Sequence, residues 1–224
     1  MKENKNINIV DSILHDIKSP LSNITGYTKL LLSNVAGDIT PEQRDYLSRI
    51  RRNSYRINLY IEDVADVARI LHFQQEIPLE EVDVSKLLNE SVERNETLLN
   101  DFKSSFLLIN FQKDVFIKSN LERIKRTIDV LISNLTKDIN KRKVLLASRI
   151  KDSTVQIIIS HLAEGTSNLD SLFERFEKAT DSHLMQHAAT STVIVSAIGG
   201  KIEMQTSNIS ERMFILSFPV LRKG

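Results

Sequence analysis

The chain has 224 residues, 41% of them hydrophobic, which suits one large domain or two small ones with a packed core. Its formal net charge of +1 gives no sign of a nucleic-acid or membrane-surface partner, and no stretch approaches the 18 apolar residues of a membrane span. Cysteine is absent, which excludes disulfides and thiolate metal sites, and the polar start without a signal sequence fits a cytoplasmic location.

The first predicted element is a long amphipathic helix over residues 6–34. Its apolar residues recur at alternating spacings of four and three, as in a heptad repeat, with Thr28 in the one polar position. They are Val10, Leu14, Ile17, Leu21, Ile24, Leu31 and Val35. His15 directly follows Leu14, so we expect it on the flank of the helix, open to solvent. Pro20 should kink the helix nearby, because proline removes a backbone hydrogen bond. A lone histidine on such a flank is most often a surface residue without a function.

A second helix is predicted to start after Thr40 and to run to about residue 72. Gly37 is the expected C-cap of the first helix, Thr40 the N-cap of the second, and Gln43 completes a capping box. Two amphipathic helices with a short connection form an antiparallel hairpin, here residues 1–75. One hairpin leaves the flanks of its apolar seams uncovered. We therefore expect a homodimer in which two hairpins form a four-helix bundle.

After Pro78 the pattern changes to alternating short strands and helices, and residues 82–224 are expected to form a second domain. Ser85 and Asn120 are the expected N-caps of two of its helices. Strands are predicted at 82–84, 106–109, 115–117, 143–150, 154–160, 201–206 and 212–220, and further helices at 169–176 and 184–198. The expected fold class is α+β, a helical hairpin followed by an α/β sandwich with helices on an antiparallel-leaning sheet.

The run from His15 to Leu21 reads His-Asp-Ile-Lys-Ser-Pro-Leu. It resembles the H-box of sensor histidine kinases, and the hairpin resembles their dimerisation and histidine phosphotransfer domain. Residues 83–221 resemble their catalytic ATP-binding domain, since 172–176 look like its F-box and 198–202 like its last turn and strand. The resemblance implies that His15 accepts a phosphoryl group.

The positions that hold ATP in this family depart from its pattern. Asn134 keeps the first place of the asparagine box, but Asp138 replaces the second asparagine, either as a Mg²⁺ ligand or as an ordinary solvated residue. His161 stands where the family has the aspartate that reads adenine, and only Gly165 remains of the glycines that follow it. Residues 185–188 lack the glycines of the third box. A phosphate cradle needs residues without a Cβ, so we expect no ATP binding and no cofactor.

One further pair resembles half a metal site. His183 and His187 are spaced i, i+4 on a predicted helix and could share a face. No third ligand is evident, so we expect two surface histidines and no metal.

The chain keeps the phosphoryl-accepting histidine but has a degenerate nucleotide site. In this combination it resembles the dimeric histidine phosphotransferases, which relay phosphoryl groups between response-regulator receiver domains. In the mechanism that this implies, the Nε2 of His15 attacks the aspartyl phosphate of a receiver, and Asp16 orients the imidazole or takes its proton. A second receiver then takes the phosphoryl group, and the receiver supplies the Mg²⁺. Ser19 holds the position where phosphatase-competent relatives have Thr or Asn, and it could orient a water.

The partner is expected to dock on the helix face that carries His15. Helical counting places Lys18, Ser22, Gly26 and Lys29 on that face. Gly26 leaves room for a close approach. The two lysines fit ordinary solvated charges equally well.

Two other readings stay open. One is a divergent but active sensor histidine kinase, which measurable ATP affinity would support. The other is a non-catalytic dimeric pseudokinase scaffold, in which replacing His15 would leave function intact.

Overall fold

The computed structural model of the chain describes residues 2–73, 77–101, 105–110, 114–136, 143–162, 189–208 and 211–221. The chain divides into two compact units, Met1–Gln75 and Glu76–Gly224. Asp138, Gly165, His183 and His187 lie outside the described residues, as do the segments 169–176 and 185–188.

The first unit is a hairpin of two long helices, α1 (Lys2–Leu32) and α2 (Pro41–Phe73). The predicted capping box of α2 is confirmed. The backbone N–H of Thr40 donates to Oε1 of Gln43 at 2.8 Å, and the N–H of Gln43 donates to Oγ1 of Thr40 at 3.2 Å. Two backbone donors that the helix leaves unpaired are thereby satisfied.

The end of α1 differs from the prediction, because Asn34 and not Gly37 is the first residue with left-handed backbone, at φ 59°. Asparagine tolerates this conformation better than most residues. The guanidinium of Arg44, in the first turns of α2, donates to the backbone oxygen of Leu32 and to Oδ1 of Asn34, both at 2.8 Å. A side chain of the second helix therefore caps the first.

The second unit contains a five-stranded sheet in the order β2-β4-β5-β7-β6 and a two-stranded sheet of β1 and β3. Only β2 and β4 pair in parallel, and the other neighbours are antiparallel. In chain order the elements are β1 (Glu80–Asp83), α3 (Val84–Asp101), β2 (Ser105–Asn110), β3 (Phe116–Ser119), α4 (Leu121–Leu135), β4 (Lys143–Lys151), β5 (Thr154–Leu162), α5 (Ala189–Ala197), β6 (Lys201–Asn208) and β7 (Glu211–Pro219). The predicted α+β class is confirmed.

The start of α3 corrects a second expectation. Val84 is the first helical residue, and Oδ1 of Asp83 accepts the N–H of Lys86 at 3.0 Å, so Asp83 is the cap instead of Ser85. The predicted cap of α4 is confirmed, since Oδ1 of Asn120 accepts the N–H of Arg123 at 3.1 Å.

Two tight turns place the central strands. Asp152 and Ser153 connect β4 to β5 with φ of 50° and 62°, the pair of positive values that matches the twist of a two-residue hairpin. Gly199 and Gly200 lead into β6. A Cβ on Gly200 would lie 2.4 Å from Cε1 of Phe218, so the packing there requires glycine.

The core of the second unit lies between the helices and one face of the sheet. Its strand residues alternate along β4, β5 and β7, as expected for side chains that share a face. The helices contribute residues from α3, α4 and α5. Among the buried residues are Leu88, Leu99, Ile124, Leu131, Val144, Leu146, Val155, Ile157, Ile159, Val195, Phe214 and Phe218.

Candidate functional site

His15 lies on the exposed flank of α1. Its side chain is 85% exposed and that of Asp16 is 77% exposed, while the preceding Leu14 is buried. The Nδ1 of His15 lies 3.6 Å from Oδ1 of Asp16, which is too long for a hydrogen bond but close enough for an electrostatic contact. A carboxylate next to Nδ1 favours the proton on that nitrogen, so the lone pair of Nε2 is left for attack on an electrophile.

Two ion pairs join α1 to α2 on either side of His15. Asp11, four residues before it, pairs with Arg69, and Lys18, three residues after it, pairs with Glu62. Arg69 also contacts Asp66 at 3.0 Å. Residues three and four positions apart share a helix face, so the two pairs frame the turn that carries His15.

Neither Glu62 nor Arg69 was singled out from the sequence. A usable signal was present, because contacts in an antiparallel hairpin keep a constant sum of residue numbers. The pairs 11–69 and 18–62 have the same sum, so sliding one helix along the other and matching opposite charges would have found both.

Most of the predicted docking face is open. Ser22, Gly26 and Lys29 of this face are exposed on α1, and a Cβ added to Gly26 would meet no described atom within 4 Å. The predicted catalytic residue Ser19 is exposed as well. Lys18 differs from the rest, since its ammonium is engaged by Glu62.

Much of the apolar seam of the hairpin is exposed as well. Ile57 is 45% exposed and Val64 is 60% exposed, although both belong to the apolar seam predicted for the second helix, which runs through Leu47, Ile50, Ser54, Ile57, Ile61, Val64, Ala68 and Leu71. A groove of about 380 Å³ follows the seam and is lined almost entirely by apolar side chains of both helices, namely Val10, Ile13, Leu14, Ile17, Ile57, Tyr60, Ile61, Val64, Ala65 and Ala68.

His161, which was predicted to stand in place of an adenine-reading aspartate, is buried, and its Nε2 lies 2.9 Å from the backbone oxygen of Leu135 at the end of α4. The carbonyl can only accept, so Nε2 carries the proton and donates. Asn134, next to Leu135, is also buried. The burial of His161 could have been predicted from the alternation of side chains along β5. His161 lies two and four residues after the core residues Ile159 and Ile157, so it shares their face of the sheet.

Within the described ranges, no three His, Asp or Glu side chains are grouped so as to hold a metal ion.

The hairpin has a counterpart among known protein families. Residues 6–72 match the His Kinase A (phospho-acceptor) domain. The match covers less than a third of the chain and includes His15, both helices and the two ion pairs. We refer to these residues below as the phospho-acceptor hairpin.

Known proteins are also similar over most of the chain. Hybrid signal transduction histidine kinase A of Dictyostelium discoideum is 24% identical over 217 residues, which are 88% of this chain and 10% of that protein. Signal transduction histidine-protein kinase BarA of Escherichia coli is 26% identical over 214 residues, which are 86% of this chain and 22% of that protein. The chain thus spans less than a quarter of the length of either relative.

Solved structures share the fold of both units. The histidine kinase AdeS of Acinetobacter baumannii aligns with a TM-score of 0.56 and 17% identity, over 93% of this chain and 98% of that one. The histidine kinase ThkA, solved in complex with the response regulator protein TrrA, aligns with a TM-score of 0.54 and 18% identity, over 98% of this chain and 64% of that one. A hairpin followed by an α/β sheet unit is therefore an architecture that this chain shares with both of these structures.

Across the described parts of the chain, no helix combines the length and the apolar character needed to cross a bilayer.

Proposed function

We propose that this protein is a histidine phosphotransferase of a two-component phosphorelay. It accepts a phosphoryl group at His15 from the receiver domain of one response regulator and donates it to another, without binding ATP. The observation that carries the proposal is the pair His15 and Asp16, both largely exposed on a phospho-acceptor hairpin, with Nδ1 directed to the carboxylate.

The transfer step follows from that geometry. The lone pair of Nε2 attacks the phosphorus of a receiver aspartyl phosphate, a new N–P bond forms, and the P–O bond breaks with its electrons passing to the aspartate carboxylate. Asp16 stabilises the positive charge that builds up on the imidazole, or accepts the Nδ1 proton. Such a transfer depends mainly on positioning and on charge compensation. The receiver's Mg²⁺ supplies part of that compensation, so the relay protein itself needs no metal.

The state of His161 supports the absence of ATP binding. An imidazole that donates from Nε2 to Leu135 inside the core has a single acceptor nitrogen, Nδ1, in place of the two carboxylate oxygens of the aspartate that it replaces. The replacement of the second asparagine by Asp138, and the loss of all the expected glycines except Gly165, add to this in the sequence.

The exposed seam supports a homodimer. A groove lined by apolar side chains, with neighbours such as Ile57 and Val64 about half exposed, is costly to leave in water. A second phospho-acceptor hairpin would cover it and complete a four-helix bundle. The response-regulator partner is supported by the ThkA structure, which contains such a protein.

The deciding experiment offers the purified chain two labelled phosphoryl donors in separate reactions with Mg²⁺. One donor is ATP, and the other is a panel of receiver domains phosphorylated in advance. Phosphohistidine is recognised as label that is lost in acid and kept in base, and His15→Gln is the control. We expect label from at least one receiver, none from ATP and none on the His15→Gln variant.

Each other result has a definite meaning. Label from ATP on His15 would show an active kinase and overturn the ATP-independent relay. No label from any receiver, from a chain that is folded and dimeric, would favour the scaffold reading instead.

A further inference from the structure

The ion pair between Lys18 and Glu62 joins α1 to α2 through a cation on the helix that carries His15. Lys18 follows His15 by three positions, so its Cβ lies about 5–6 Å from that of the histidine on the same face. Its side chain is 39% exposed, and that of Glu62 is 23% exposed. The ammonium therefore sits at the rim of the hairpin, within reach of either helix.

The two possible partners of this ammonium differ in charge. Glu62 carries one negative charge in a partly solvated place. A phosphoryl group on Nε2 of His15 would add about two negative charges and three acceptor oxygens on the helix face that also carries Lys18. Lysine has a flexible four-carbon stem and a mobile ammonium, so exchanging one partner for the other requires only side-chain rotation.

We propose that Lys18 takes the phosphoryl group as a second partner when His15 is phosphorylated. In the unmodified protein its ammonium is held by Glu62, and in the phosphorylated protein it is shared between Glu62 and the phosphoryl oxygens. Glu62 is then a positioning residue, because it competes for the cation that stabilises phosphohistidine and so limits how tightly His15 holds the phosphoryl group. The switch rests on the proposed function, since it matters only if His15 is the acceptor.

The switch can be tested without ATP or a receiver, so its failure is separate from failure of the relay. Phosphoramidate phosphorylates exposed imidazoles directly: Nε2 forms a bond to phosphorus, the P–N bond of the reagent breaks, and ammonium leaves with the imidazole ring proton. The ³¹P resonance of phosphohistidine responds to protonation of the ring. Its titration midpoint therefore reports whether a cation stands near the phosphoryl group, because such a cation disfavours the charged ring.

Four proteins make a double-mutant cycle: wild type, Lys18→Gln, Glu62→Gln and the double variant. We expect the midpoint to rise in Lys18→Gln and to fall in Glu62→Gln, each by about 0.3–0.7 pH unit, the size of a partly exposed charge interaction. In the Lys18→Gln background, Glu62→Gln should change the midpoint by less than half as much. Asp11→Asn is the matched control, because it breaks the other ion pair, and its effect should be the same with Lys or Gln at position 18.

A purely structural ion pair gives a different pattern. If the ion pair between Lys18 and Glu62 only holds the helices together, Lys18→Gln and Glu62→Gln each break the same contact. Both variants then shift the titration midpoint of phosphohistidine in the same direction. If Glu62 acts only through its own field, its effect persists unchanged in the double variant. Either result would overturn the switch. Failure of phosphoramidate to label His15, beside normal labelling of free histidine, would overturn both the switch and the relay.

Discussion

The imidazole of His161 donates to the backbone oxygen of Leu135 across 2.9 Å of protein interior. This contact joins β5 to the last residue of α4 at the position where the sequence resemblance predicts an aspartate that reads adenine. Restoring an aspartate at this position is therefore not expected to restore ATP binding.

We predict that His161→Asp leaves ATP binding undetectable and destabilises the protein by about 1–3 kcal/mol, because a carboxylate and a carbonyl are both acceptors and neither satisfies the other. The control is His161→Gln, whose amide can still donate, and it should cost less. Urea denaturation gives the free energies, and a fluorescent ATP analogue reports binding. Micromolar affinity of the His161→Asp variant for ATP would contradict our expectation that a single substitution cannot restore nucleotide binding.

A second prediction concerns Gly26, which is exposed within α1 with open space around it. Gly26→Ala should stabilise the hairpin by up to about 1 kcal/mol, since glycine is a poor helix former. It should nevertheless weaken phosphotransfer from a receiver, if that partner packs closely here. Tyr27→Ala is the control, since its side chain is exposed, alanine also improves helix propensity there, and Tyr27 lies about 100° around the helix from Gly26. Equal transfer rates in both variants would remove Gly26 from the docking face.

The third prediction tests the dimer. Val64→Glu places a charge on the exposed seam and should shift the protein from dimer to monomer in analytical ultracentrifugation, because an unpaired carboxylate would be buried in the bundle. Ile150→Glu is the control: Ile150, at 38% exposure in β4, belongs to the second unit and to no predicted interface. A wild-type chain that is monomeric at high micromolar concentration would rule out the four-helix bundle.

The fourth prediction separates the two candidate caps of α3. Asp83→Ala should lower the free energy of unfolding by about 1 kcal/mol, because the N–H of Lys86 loses its acceptor, while Ser85→Ala should have less effect. Chemical denaturation of both variants checks this. The reverse order would mean that Ser85 is the cap in solution.

The fifth prediction is a pH dependence. Burial raises the pKa of Asp129 above its ordinary value of 3.8, against the opposing contacts of Arg94 at 3.1 and 3.2 Å and of Asn95 at 2.6 Å. The folded state then binds more protons than the unfolded state between 3.8 and the raised pKa, so stability falls as pH rises through that window.

Asp129→Asn removes this contribution. The unfolding free energy of the variant minus that of wild type should therefore become more positive as pH rises from about 3.5 to 6, whatever its absolute value. Urea titrations at several pH values measure the difference. A difference that becomes more negative over this range would show that the ion pair with Arg94 dominates over burial.

The parts of the fold that the sequence predicted are those decided by local chemistry. The capping box of Thr40 and Gln43 needs only residues three apart, and so does the cap at Asn120. The cap of α3 could not be chosen in this way, because Asp83 and Ser85 have similar intrinsic preference. The choice depends on a distant strand, since the N–H of Val84 donates to the oxygen of Val115 at 3.0 Å, so the helix begins there.

The same distinction, between features set by local sequence and features set by distant contacts, applies to the candidate site. The exposure of His15 follows from its place beside Leu14 in the heptad. The partner of Lys18 depends on the register of two helices, which no local pattern encodes, and so Glu62 was missed. The predicted roles of Asp16, Ser19 and the docking residues stay predictions, as does the loss of nucleotide binding.

The contacts at the two ends of the hairpin restrict how its helices can move. Near the connection, Arg44 holds the last carbonyl of α1, and far from it Arg69 holds Asp11. Sliding one helix past the other by a turn, about 5.4 Å, would break both contacts together. Small rotations about the long axes can leave both in place, because the two arginines are long and flexible. A conformational signal transmitted along this hairpin to His15 should therefore consist of a rotation of the helices about their long axes, and not of one helix sliding along the other.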